Sequence, residues 1–142
     1  MHLIDYILCD DIRNEVNGRV SLMGLFGDRI VFTPPPGVQI KWPVAIRLCT
    51  YVRIRFSKGD ERPNEFSFEY FVNERSLGVM NGPVQPEPAQ DLTSISILGS
   101  GLPLELGKLG FKLTLKLNGR VLKEFTIAEA LKVSDQAIPQ QA

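Results

Sequence analysis

Asn17-Gly18 stands between two apolar runs, and no other short feature constrains this chain more. Both residues accept positive φ at little cost, so the pair marks a turn between antiparallel strands. The surrounding residues 8–26 read LCDDIRNEVNGRVSLMGLF. Before the turn, Ile4, Tyr6, Leu8, Ile12 and Val16 share one parity; after it, Val20, Leu22, Gly24 and Phe26 do. A two-residue loop would pair even positions with odd ones and send the two apolar sets to opposite sides. A slip of one residue turns a whole strand over. The spacing therefore predicts a loop of three or five residues, with both apolar sets facing one core.

Asp10, Asp11, Arg13, Asn14 and Glu15 interrupt the first of these strands. A functional reading makes them a recognition patch, here a candidate protein-contact patch, or a cation site. A structural reading makes them a bulge or strand end whose carboxylates bond local N–H groups and pair with Arg13 or Arg19. Interleaved charge on a half-exposed strand usually marks a solvated face, which favours the structural reading.

Period-two alternation continues through the chain. Residues 28–32 predict a short strand, and TPPPG at 33–37 a stiff connection, because three prolines donate no hydrogen bond. Residues 41–56 predict the longest strand, apolar or small at Ile46, Leu48, Thr50, Val52, Ile54 and Phe56, with Arg47, Arg53 and Arg55 on the other parity. Residues 65–73 return with Phe66, Phe68, Tyr70 and Val72 inward and Glu65 and Glu69 outward. If these two strands are neighbours, their arginines and glutamates form cross-strand pairs. That explains the arginine stripe better than RNA binding does.

A tight turn is expected at 73–76 and a short strand at 77–80. Residues 81–90 (NGPVQPEPAQ) read as a long proline-rich loop, the best candidate for a contact loop, with Asn81, Gln85, Glu87 and Gln90 as its polar members. Residues 91–98 are expected to form another strand, Gly99-Ser100-Gly101 a flexible break, and 102–107 a short apolar link or a further strand. FKLTLKL at 111–117 alternates without a fault and ends in a second Asn-Gly, Asn118-Gly119. Val121, Phe125 and Ile127 have the parity of Phe111 and Leu113, so an odd loop is expected here too. Residues 128–133 extend that strand or form a helical turn, and 134–142 read as a polar tail.

Seven to nine short strands and no long helix predict an all-β fold, an antiparallel β-sandwich with Greek-key-like connections. A length of 142 residues fits a single domain over 1–133. Sixteen basic residues balance sixteen acidic ones. That argues against a dedicated binder of nucleic acid or of an anionic membrane. No secretory leader is apparent, and no stretch approaches the roughly 18 apolar residues of a spanning helix. Cys9 and Cys49 each lie in an apolar strand and are expected buried and reduced, which points to the cytoplasm.

The pattern CDDIRxExxGxxSLxGxFG, carried here from Cys9 to Gly27, resembles the opening of a family of small bacterial proteins catalogued as a domain of unknown function. The resemblance implies a compact β-sandwich and a bacterial or phage origin, and it implies no activity.

The only histidine is His2. This removes a Ser-His-Asp triad and His-rich metal sites, and two cysteines cannot complete a structural zinc site. No catalytic residue, metal site or cofactor is expected. A hydrolase would have to work with carboxylates alone, for example a distant pair such as Glu69 and Glu87. Asp28, Asp60 and Asp91 lie singly in separate loops, which is poor provision for calcium. The leading expectation is a non-enzymatic protein-binding or assembly module, with an unknown protein partner or a homo-oligomer formed through a sheet edge. The alternatives are a sandwich that binds carbohydrate or another small ligand, with Trp42 as platform rather than core plug, and a carboxylate-only hydrolase.

Overall fold

The computed structural model describes residues 1–85 and 90–135. Nine strands follow one another: β1 (His2–Asn14), β2 (Val20–Leu25), β3 (Arg29–Phe32), β4 (Val44–Arg55), β5 (Glu65–Val72), β6 (Arg75–Pro83), β7 (Leu92–Leu104), β8 (Gly107–Leu117) and β9 (Arg120–Asp135). Among the described residues the only helical piece is a 3₁₀ turn at Val16–Gly18. The strands form two sheets, ordered β2-β1-β4-β7 and β3-β9-β8-β5-β6. Every pairing is antiparallel except β3 with β9, so the second sheet is mixed rather than wholly antiparallel.

The two sheets share one core. Leu48, Val52 and Ile54 of β4 and Ile95 and Ile97 of β7 meet Phe68, Tyr70 and Val72 of β5 and Phe111, Leu113 and Leu115 of β8. Alternation delivers these residues, since every second side chain of a strand falls on one face. Two contacts tie the sheets together. Tyr6 of β1 meets Phe111 of β8 edge to face, with ring centres 5.1 Å apart. The buried Thr50 and Tyr70 hydroxyls hydrogen-bond each other across the core.

The two Asn-Gly turns reach the expected parity by different routes. In the first, Asn14 pairs with Val20 and Ile12 with Leu22, which leaves a five-residue loop. In the second, Leu117 pairs with Arg120, so the loop is only Asn118-Gly119, both at positive φ. The expected odd loop is corrected here. A bulge beyond the turn shifts the register between Lys116–Val121 and Leu115–Lys123, and odd then meets odd from Leu115–Lys123 onward. The extra residue that the pattern demands sits in the strand instead of the loop.

Other expectations are corrected as well. β4 and β5 are not neighbours but lie in different sheets. Arg53 pairs instead with Asp5 of β1, while Glu65 and Glu69 face Lys116 and Lys112 of β8. Gly99-Ser100-Gly101 is no break: β7 runs through it with a bulge, Gly101 taking φ +68°. The turn after β5 is Asn73-Glu74, both at positive φ, and β6 begins at Arg75. Ser134 and Asp135, placed in the tail by their polarity, pair with Val31 and Phe32. The rest of that tail lies outside the described residues. No helix of the described residues is long and apolar enough to cross a membrane.

Candidate functional site

The β1–β2 hairpin departs from simple alternation at one place. Its register sets Asp10 across from Gly24. Gly24 has φ +66°, and a Cβ there would lie 2.8 Å from the Asp10 Cβ. This close approach needs glycine, and it marks a kink in both strands. Before the kink, Tyr6 and Leu8 belong to the main core. Beyond it, Ile12, Val20 and Leu22 pack with Cys9, Cys49 and Tyr51 in a second, smaller cluster. Cys49 and Tyr51 alternate with the core residues Leu48, Thr50 and Val52, so they lie on the opposite face of β4. The hairpin thus folds over the outer face of its own sheet. The expectation that both of its apolar sets share one core fails because of this kink.

The predicted patch divides. Asp11 accepts hydrogen bonds from Arg47 Nη2 at 2.7 Å and from the Ile12 N–H at 3.0 Å, and Arg13 Nε stands 3.6 Å away. Partial desolvation pushes its pKa upward, but the Arg47 bond and charge, with Ile12 and Arg13, outweigh that and hold it below the ordinary carboxylate value. Its role in the fold is therefore structural. Asp10, Arg13, Asn14 and Glu15 are exposed. Beside them on β2, Met23 and Leu25 are 40% and 61% exposed, and Val16 projects from the turn. Sequence reasoning assigned no role to Met23 or Leu25, since both read as ordinary members of an apolar strand.

The predicted contact loop is shorter than expected. Asn81 lies within β6 and pairs with Ser67. Gln85 and Gln90 lie outside the strands, and Glu87 falls outside the described residues, as does any pairing of Glu69 with it. Gln85 and Gln90 line a groove with about 1050 Å³ of open space. One wall is the hairpin turn, Asn17 and Gly18; another is Phe66 with Pro83. The floor is five consecutive residues of β7, 92–96. Successive side chains of a strand point to opposite faces, so a groove that touches all five follows the strand's edge. β7 ends its sheet, and this edge faces the groove.

One hydrogen bond fixes which way the β7 main chain faces. The Phe56 N–H donates to the Asp91 carbonyl at 2.7 Å, so the Asp91 carbonyl points at β4. Main-chain groups alternate between the two sides of a strand. Thr93 and Ile95 therefore bond β4, while the N–H and C=O of Leu92, Ser94 and Ser96 point into the groove. Sequence reasoning missed this edge. The one available signal was serine at 94 and 96 among isoleucines, the mark of a half-exposed strand.

Trp42 is partly buried against the main core and meets Phe32 edge to face at 5.2 Å. Its setting is that of a plug rather than an open stacking platform. Asp28 and Asp91 stand beside Arg29 and Arg62 respectively, and no group of three or more His, Cys, Asp or Glu among the described residues converges as a metal site would require. Compared with known protein families and with curated proteins, the chain matches none.

Proposed function

We propose that this chain is a β-sandwich with Greek-key-like connections that serves as a non-enzymatic protein-binding or assembly module of the cytoplasm. The shared core supports the sandwich reading, as do the links from β4 to β5, β6 to β7 and β7 to β8, which pass between sheets. The observation that carries the functional reading is the outward surface of the folded-over hairpin. Exposed Met23 and Leu25 lie beside Asp10, Arg13, Asn14 and Glu15. An apolar centre with a polar rim is how protein interfaces are built. The resemblance of the opening motif to a small bacterial family fits an accessory role in a bacterium or phage.

The test is affinity capture from the host lysate, read by mass spectrometry, with a triple variant Arg13→Ala/Met23→Ser/Leu25→Ser beside the unaltered chain. Asp11 is left intact because Arg47 depends on it. A stoichiometric partner that is lost in the variant, with its circular dichroism unchanged, is the expected result. Retention of every captured protein by the folded variant would remove the hairpin from the interface.

A further inference from the structure

We propose that the groove along the outer edge of β7, which pairs with no other strand among the described residues, binds an extended, uncharged peptide segment, which adds to the sheet as a strand. This deepens the reading that the chain binds protein, and it concerns a surface separate from Met23 and Leu25. Three observations converge on it. First, Leu92, Ser94 and Ser96 direct N–H and C=O groups outward, with the alternation that an added strand requires. Second, the groove runs along the strand's edge, and its walls come from other parts of the fold: the 3₁₀ turn of the hairpin on one side, Phe66 and Pro83 on the other. Third, among the described residues lining the groove none is ionisable. Against these residues a charged peptide residue would lose hydration without gaining a partner, whereas a neutral one is matched by the hydroxyl and amide groups of Ser94, Ser96, Gln85 and Gln90.

Five residues of extended chain span about 17 Å. An occupant of that length pairs with residues 92–96 and makes its affinity through the main chain. Its alternate side chains fall on the Phe66 side and on the Asn17 side. The hairpin kink at Asp10 and Gly24 acquires a purpose in this scheme, because folding the hairpin over the sheet brings Asn17 and Gly18 to the groove.

The test starts from a phage-displayed library of random heptapeptides selected on the full chain. The enriched sequence is synthesised and titrated into ¹⁵N-labelled protein. Enrichment of peptides poor in Asp, Glu, Lys and Arg is expected. Their binding should shift the amides of Leu92, Ser94 and Ser96 and slow their hydrogen exchange. Ser94→Pro deletes an N–H that β4 does not use, and proline is tolerated at such an edge position; it should weaken binding at least tenfold. Methylation of alternate peptide nitrogens should do the same, and that series stands on its own if Ser94→Pro fails to fold.

No enrichment, or affinity indifferent to both changes, would overturn the proposal. So would shifts confined to Met23 and Leu25, or shifts at residues 92–96 produced by maltohexaose and by no peptide. Peptide binding that survives in the Arg13/Met23/Leu25 variant, with no lysate partner captured, would leave the groove standing while the hairpin reading falls. A hairpin-dependent lysate partner without any groove peptide would do the reverse.

Discussion

Tyr70 shows what one polar atom does inside an apolar core. It is fully buried, its hydroxyl is bonded to Thr50, and the Leu48 carbonyl lies 3.5 Å away. Burial pushes its pKa well above the usual tyrosine range, so the phenol stays neutral and remains a partner for Thr50. Tyr70→Phe keeps the ring but strands the Thr50 hydroxyl. A loss of about 1–2 kcal/mol is expected in urea unfolding, and Thr50→Val combined with Tyr70→Phe should recover part of it. The cysteines carry a second prediction. Cys9 and Cys49 face each other in register, both buried and both free. The Phe26 N–H bonds the Leu8 carbonyl, so Leu8 points toward β2 and Cys9 toward β4. Cys9–Cys49 is thus a hydrogen-bonded pair. The Cβ atoms of such pairs lie at the wide end of the cross-strand range, about 5.5 Å, beyond the roughly 3.8 Å a disulfide prefers. Burial also pushes the Cys9 thiol up to about 11, with the neighbouring Cys49 and the Asp11 and Asp10 charges adding to it. Mild oxidation should leave two titratable thiols, unreactive toward a disulfide reagent until the chain unfolds. A folded pKa above the unfolded value of 9.0 favours the folded state at neutral pH. That contribution should fade as pH rises from about 9 to about 11, and Cys9→Ala should abolish this part of the alkaline decline in urea midpoint.

At the scale of the strand, glycine decides where alternation is interrupted. Gly24→Ala forces a side chain into the left-handed region and into the Asp10 Cβ. A cost of about 1–3 kcal/mol is expected, with faster hydrogen exchange concentrated in residues 11–23 and little change in β8. Gly18→Ala is the control, because nothing lies within 4 Å of the added carbon and only the positive φ is strained. The existence of both hairpins was legible in the sequence, because turn chemistry and period-two alternation act over a few residues. The parity of their pairing was legible too. Whether parity is restored in the loop or by a bulge was not, since Asn17-Gly18 and Asn118-Gly119 are the same dipeptide with different surroundings. The first sits in a five-residue loop, and the second forms a two-residue turn followed by a shifted register. The kink at Gly24 was equally hidden. A glycine in strand parity looks like any small residue until the strand opposite it is known. The candidate patch was read as one surface for that reason, although Asp11 serves Arg47 and its neighbours face solvent.

Across the whole molecule, the arrangement of charge follows from which strands share a sheet, and that is the part a sequence states least. Arg53 and Arg47 could be balanced by Glu65 and Glu69 or by Asp5 and Asp11, and both pairings satisfy the alternation. The fold chooses the aspartates, because β4 pairs with β1 and not with β5. The glutamates of β5 are matched by Lys112 and Lys116 instead. The groove was illegible on the same ground: β5, β6, β7 and the first hairpin meet there only after the two sheets assemble. The charge arrangement has a measurable consequence. The Arg53 hydrogen bond, aided by its charge and opposed by slight desolvation, holds Asp5 below its ordinary pKa, and Asp11 is held down beside Arg47. A carboxylate with a depressed folded pKa stabilises the fold at pH values above its unfolded value of 3.8, and the contribution is lost as pH falls below it. The urea midpoint should therefore decline on acidification below about pH 4, and Asp5→Asn/Asp11→Asn should flatten that decline while lowering the midpoint at pH 7. Both pairs are substantially solvent-exposed, so salt should screen them. Raising ionic strength toward 1 M should bring the two chains' midpoints at pH 7 together. If the double variant keeps the full acid decline, the aspartate–arginine pairs between β1 and β4 are not its source.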